Sequence, residues 1–427
     1  MSRPKIKMPG LLALSPIVVF LVVYLVSSLL AGDFYKVPVS SAFLVASIYA
    51  IAISPGELSY RVNVFSESAG HWNIMLMVWI FMLAGAFAGS AKEIGSIEAT
   101  VNFTLNIIPA HFLLAGLFLT ACFVSLAIGT SVGTIVALVP IASGIAQETG
   151  LNTAMMTALV VGGSFFGDNL SFISDTTIAA TRAVGCAMSE KFRANFMIVL
   201  PAMIAVAGYY VFKGLSIETA SVVHPIEFFK LMPYLFVIVL ALLGVDVTLV
   251  LVIGLLLNAV VGFTTGSLDW FSWLSSMGQG IAGMGDLVIV TLLAGGMLGI
   301  IRYNGGLEFI MRNVMKWAHG RRGAELCIGC LTALANLCTA NNTIAIITVG
   351  SIVNDISDKF NIPKRRAASL MDIFSCFVQG VIPYGAQLLM AAGLTGLATT
   401  QIIPFLYYPF AVGICVLISV LIGQRRS

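Results

Sequence analysis

Charged residues are scarce in this 427-residue chain: Asp, Glu, Lys and Arg together make up 10% of it, against roughly 25% in soluble domains. With 59% apolar residues and a mean hydropathy of +1.01, the apolar surface exceeds what one water-soluble core can hide, so a bilayer is the main solvent. Histidine is scarce too. His71, His111, His224 and His319 all fall in or near loops and do not suggest a proton relay. The seven cysteines lie singly in apolar stretches except for Cys327 and Cys330. With no second pair or histidine at ligand spacing, a zinc site is not expected. A net charge of +3, scattered along the chain, argues against a nucleic-acid partner. No motif of enzyme chemistry and no organic cofactor is indicated.

What is abundant is long apolar runs. After Arg3, Lys5 and Lys7 the chain is apolar from Leu11 to Ala31, which is too long for a signal peptide and has no small-residue cleavage pattern, so it reads as the first transmembrane helix.

The chain also repeats itself. Residues 83–98 and 293–308 share six of sixteen identities, among them Gly85/Gly295, Gly89/Gly299, Gly95/Gly305 and Glu98/Glu308. Thr134 and Ile135 meet Thr343 and Ile344 at an offset of 209, and Leu159, Ser164 and Phe166 meet Leu370, Ser375 and Phe377 at 211. Each half reads as two apolar helices, a glycine-rich helix (73–90; 285–301), a helical pair around a polar tip, an interrupted helix and a closing helix. The tips are GTSVGT (Gly129 to Thr134) and CTANNT (Cys338 to Thr343).

If each tipped pair is a re-entrant hairpin, a half crosses the membrane five times and the second half is inverted. Basic residues agree, since short cytoplasmic loops collect them: one (Lys92) flanks the first hairpin and nine flank the second. The expected fold is therefore an all-α polytopic membrane protein with inverted-topology repeats, about ten crossings plus two hairpins. The first repeat covers 1–213, with its hairpin at 110–148 entering from outside and its broken helix at 154–186. An extracytoplasmic linker, 214–230, leads to the second repeat at 231–427, with its hairpin at 323–357 entering from inside and its broken helix at 365–398. Both termini fall on the cytoplasmic side of a cell inner membrane, as do Arg61, Lys191 and Arg193.

The polar stretch GDNLSFISDTT, Gly167 to Thr177, interrupts an apolar run. A charge at the bilayer centre costs about 2.5 to 3.5 kcal/mol even on the lenient insertion scale, so this segment must face protein or water. Unwinding would set carbonyl oxygens beside the Asp168 and Asp175 carboxylates, a hard-oxygen set suited to a small cation such as sodium. Asn169, Ser171, Ser174, Thr176 and Thr177 complete it. Capping of two helix halves is the plainer role for the two aspartates.

The second half aligns Gln379 with Asp168 and Ala386 with Asp175, so the break persists without the charge. It offers neutral ligands: Gln379, Tyr384 and Gln387, with Asn341, Asn342 and Thr343 at the tip. Thr130, Ser131 and Thr134 form the first tip. Asp372 is a proton site, a helix-dipole partner or the partner of a nearby base. Arg182 could receive a substrate carboxylate but more readily snorkels to the interface.

These stretches, with TRAVGCAMSEKFRANF (Thr181 to Phe196) and FSCFVQGVIPYGAQLL (Phe374 to Leu389), resemble the NhaC family of sodium/proton antiporters, within the ion transporter superfamily. The resemblance spans essentially the whole chain. It implies sodium/proton exchange by a secondary transporter, with sodium and proton as the moving ions. Some relatives move malate and lactate or amino acids instead, which keeps a cation-coupled carrier of a small organic anion or amino acid as the alternative. The family pattern has Lys, Pro and Asn where this chain has Asn169, Phe172 and Ile178, so one positive charge is missing. The partners expected are the lipid bilayer and small cations, with a homodimer left open.

Overall fold

The computed structural model describes residues 10–31, 38–172, 174–217, 227–243, 245–314, 316 and 319–422. Both termini and most of the 214–230 linker lie outside the described residues, within which every regular element is helical. The first half comprises α1 (Gly10–Ala31), α2 (Val39–Ile53), α3 (Leu58–Ala69), α4 (Trp72–Glu93), α5 (Ser96–Ile107), α6 (Leu113–Ile128), α7 (Ser131–Thr149), α8 (Thr153–Leu170), α9 (Asp175–Val184) and α10 (Met188–Gly214). The second repeats that order: α11 (Phe228–Leu242), α12 (Val247–Thr265), α13 (Trp270–Gly283), α14 (Gly285–Tyr303), α15 (Gly306–Val314), α16 (Gly320–Thr339), α17 (Asn342–Lys359), α18 (Lys364–Val381) and α19 (Ala386–Thr395). It closes on α20 (Thr399–Ile402) and α21 (Tyr407–Ile422), the latter bent by 55° from the segment before it.

The halves interlock by exchange. α9 packs on α17 while its counterpart α19 packs on α7; α4 packs on α13 while α14 packs on α3; α5 meets α11 while α15 meets α1. The close approach of α4 to α13 needs glycine, because a Cβ on either Gly85 or Gly280 would strike the other's backbone. Small residues at a helix contact permit such an approach.

Among the described residues seven helices, or eight with the bent pair, are long and apolar enough to cross a membrane, against the ten crossings expected. Among the described residues, Gly10–Tyr24, Val39–Ile53, Leu113–Ala127 and Phe228–Leu240 are apolar but shorter. The short helices α3, α5, α13 and α15 were not anticipated. α10 shows why the elements are apolar on their outer faces as well: Met197, Ile204 and Phe212 are exposed while Asn195, Val199 and Val206 are buried.

Each hairpin turns through one left-handed residue, Gly129 (φ 76°) and Ala340 (φ 49°). This turn geometry sets the register: α7 and α17 start 211 residues apart, as do α8 and α18, and α9 and α19. The 209-residue match of Thr134–Ile135 with Thr343–Ile344 is thus two residues out of register, a chance identity beside a turn whose backbone dictates the alignment.

Candidate functional site

Both interrupted helices break where expected. α8 ends at Leu170 and α9 begins at Asp175; α18 ends at Val381 and α19 begins at Ala386. In the second half Pro383 accounts for the break, having no N–H to donate. In the first half there is no proline, and side chains do the work instead. A helix end leaves its last carbonyls without donors, and here these are satisfied laterally. Thr176 Oγ1 donates to the Asp168 carbonyl at 2.9 Å. Lys191 Nζ and Asn195 Nδ2 donate to the Asn169 carbonyl at 2.9 and 2.7 Å.

The Asp168 carboxylate is buried, 4% exposed, and reaches the tip of its own hairpin. Ser131, the first residue of α7, donates its backbone N–H to Oδ1 at 3.1 Å and its hydroxyl to Oδ2 at 2.6 Å. The α7 N-terminus adds a favourable dipole. The other half joins this group directly. Gln387 Nε2 donates to Ser131 Oγ at 2.9 Å, and Gln379 Nε2 donates to Gln387 Oε1 at 2.9 Å and to the Ala340 carbonyl at 3.1 Å. One polar chain therefore runs from Asp168 through both broken helices to the tip of the second hairpin. Gln379 Oε1, at its end, is buried and has no hydrogen-bond partner among the described residues.

Other expected residues fall around this chain rather than in it. Ser174 shares a 3.0 Å hydrogen bond with Thr176. Thr134 donates to the Thr130 carbonyl inside α7's first turn, and Ser171 is buried in the break. Asp175 stands apart from Asp168: it is exposed, in the first turn of α9, where a carboxylate favours the helix dipole. Arg182 is likewise exposed, at the far end of α9. Asn341 caps α17 by accepting from Ile344 N, Asn342 is buried, and Tyr384 donates to the Leu337 carbonyl. A cavity of about 50 Å³ opens at this second tip, lined by Thr339, Asn341, Thr343's neighbour Ile344, and Tyr384.

The group missed from sequence is Lys191. Read as a cytoplasmic loop residue, it is instead 1% exposed on α10, with Nζ 2.9 Å from Asp372 Oδ2 and 2.7 Å from Thr177 Oγ1. Asn195, one turn on, donates to the same Asp372 oxygen at 2.7 Å. Asp372 therefore has the nearby basic partner that was one of its three expected roles. The positive charge that the family pattern carries at position 169 is absent from that side chain, yet a lysine from α10 lies on its carbonyl. The i, i+4 spacing that puts Lys191 and Asn195 on one face of α10 was the available signal.

The profile of the Na+/H+ antiporter family matches the chain twice, over residues 6–215 and 216–424. The chain belongs to that family. Proteins similar to it include the malate-2H(+)/Na(+)-lactate antiporter of Bacillus subtilis, 24% identical over 94% of this chain and 93% of that one. The Na(+)/H(+) antiporter NhaC of the same organism is 23% identical over 81% and 83% of the two chains. That of Alkalihalophilus pseudofirmus is 21% identical over 78% and 79%. A solved structure, the YdaH transporter of Alcanivorax borkumensis, aligns over 96% of this chain and 99% of its own at 13% identity and a TM-score of 0.45. The antiporter family to which the chain belongs is one of multi-pass membrane transporters and not of enzymes.

Proposed function

We propose that this chain exchanges sodium for protons by alternating access, with Asp168 as the carboxylate that takes each ion in turn. One observation carries the reading. Asp168 is a buried carboxylate with no basic side chain within ion-pair distance among the described residues, whereas of the other buried carboxylates among them Asp372 has one and Glu325 two. An unpaired charge at such depth is costly, and a sodium ion or a proton each removes it. Because one carboxylate serves both, binding of either ion opposes the other, which is sufficient to couple the fluxes. Asp175, close to the same break, adds negative field at its mouth.

The hydrogen-bonded link between Ser131 and Gln387 joins the two halves at the binding point, where relative motion of inverted repeats would be felt. The twofold match of the family profile and the exchanged packing of counterpart helices support two related halves with opposite orientation. The bias of basic residues along the sequence supports a cytoplasmic side for both termini.

The test is purified protein in liposomes under an imposed pH gradient. Sodium that dissipates the gradient in the wild type, with loss in Asp168→Asn, supports the reading; a gradient unaffected by sodium overturns it.

The malate and lactate carried by the relative named above motivate a second reading, cation-coupled transport of a small organic anion, with Asn341, Asn342 and Thr343 at the substrate. The cavity beside Asn341, about 50 Å³, admits an ion or a few waters and falls well short of the roughly 300 Å³ or more of ordinary small-molecule sites. Sodium-driven accumulation of a labelled organic anion, without sodium-driven proton movement, would shift the assignment to this reading.

A further inference from the structure

The Lys191 ammonium sits in a cage of oxygens drawn from three elements. Its partners are the Asn169 carbonyl freed by the break, the Thr177 hydroxyl on α9 and Asp372 Oδ2 on α18, all within 2.7 to 2.9 Å. One carboxylate, one hydroxyl and one unwound carbonyl are also what a small hard cation asks for. Two further buried acceptors lie on the side chains that surround the ammonium, Asp372 Oδ1 and Asn195 Oδ1, and neither has a hydrogen-bond partner among the described residues.

Stability does not account for this group. At the 211-residue offset that relates the halves, Asp372, Lys191 and Asn195 correspond to Val161, Ile402 and Leu406, all buried and all apolar. The fold builds the same junction without polar groups in its other half. A buried ion pair is commonly no more stable than well-packed apolar residues in its place. The polar version must be kept for something else.

We propose that Lys191 is a tethered occupant of a second cation site, so that its ammonium excludes a sodium ion that the Asn169, Thr177 and Asp372 oxygens would otherwise hold. Lys191 thereby sets how many sodium ions the chain binds. The proposal rests on the sodium reading of Asp168 for the first ion. Exchange of one monovalent cation for another leaves the net charge of the pocket unchanged, and a shortened side chain leaves room for the ion with water.

The experiment counts radioactive sodium bound per full-length chain in detergent, at saturation and at one fixed pH. Wild type and Lys191→Arg are expected to bind one sodium each. Lys191→Ala and Lys191→Gln are expected to bind two, and Lys191→Ala combined with Asp372→Asn returns to one. Equal counts for wild type and both neutral variants, with the variants eluting as single folded species, overturn the proposal. If neither neutral variant folds, the wild-type count alone decides: one is the expected result, and two overturns the proposal because the ammonium then excludes nothing. A wild type that binds no sodium removes the Asp168 reading, while the difference between wild type and variants still reports on the Lys191 cage.

Discussion

Asp168 and Gln379 hold equivalent places 211 residues apart, each reaching the tip of its own half's hairpin, but with opposite polarity: the Asp168 carboxylate accepts from Ser131, whereas the Gln379 amide donates to the Ala340 carbonyl. The residue eight positions on reaches back in both halves, Thr176 to the Asp168 carbonyl and Gln387 to the Gln379 amide. The scaffold is shared, and the charge is confined to one side of it. A symmetric pair of carboxylates would place two repelling charges in one buried volume; a single one leaves room for one counter-ion.

Asp168→Asn should therefore abolish sodium-dependent proton movement while leaving the protein folded, since an amide still accepts from Ser131. Asp175→Asn should retain exchange with a reduced rate, because that side chain lies at the surface and contributes only field. In the wild type, the apparent KM for sodium should rise as pH falls, because protons compete for the Asp168 carboxylate. A sodium KM that is flat between acidic and alkaline pH, measured in liposomes, would contradict a shared site.

Gln387→Ala removes the donor that ties α19 to Ser131 across the two halves. A neutral hydrogen bond of this kind contributes roughly 0.5 to 1.5 kcal/mol, so a rise in sodium KM of about 2- to 12-fold is expected. Flux assays against sodium concentration read this directly. A normal KM would mean that the link plays no part in sodium binding.

The first break showed itself as a polar stretch in an apolar run. The second break, the first tip and the glycine-rich helices were legible in the sequence because each has a local cause: Pro383, the left-handed Gly129 and small residues at close helix contacts. Lys191 was not, because counting basic residues toward a loop uses position along the chain and ignores which helix face a residue occupies. α10 starts at Met188, and its first turn delivers Lys191 inward. Asp168 and Asp175 look interchangeable in GDNLSFISDTT, yet the break between them turns one into the core and leaves the other at the surface. The register of the hairpin tips was misjudged for a similar reason, since two matching residues weigh less than a turn fixed by backbone conformation.

Gly167→Ala tests the packing that holds Asp168 in place. A Cβ at Gly167 would collide with the backbone of Ser125, at the contact where Ser125 Oγ also donates to the Ser164 carbonyl. The equivalent bond in the other half runs from Asn336 Nδ2 to the Ser375 carbonyl at 2.7 Å. Backbone gives way less readily than a side chain, so the loss should lie toward the upper end of the roughly 1 to 3 kcal/mol typical of overpacking. A lower midpoint of thermal unfolding in detergent is the expected observation; an unchanged midpoint would show that α6 and α8 can separate without cost.

Glu325 and Arg366 offer a contrast with Lys191 and Asp372. They form a buried pair at 2.9 Å between α16 and α18, with the Arg366 guanidinium also donating to Ser419. Their counterparts at the 211-residue offset are Leu114 and Met155, both buried. Glu325→Leu alone strands a buried guanidinium and should cost about 3 to 5 kcal/mol, whereas replacing both members of such a pair is often neutral. The double variant Glu325→Leu with Arg366→Met copies the first half and should recover most of the unfolding midpoint. It should also leave sodium binding intact, because neither residue belongs to the polar chain that starts at Asp168. If the double variant is as unstable as the single one, the pair is required where it stands, and equivalence of the two halves does not extend to this junction.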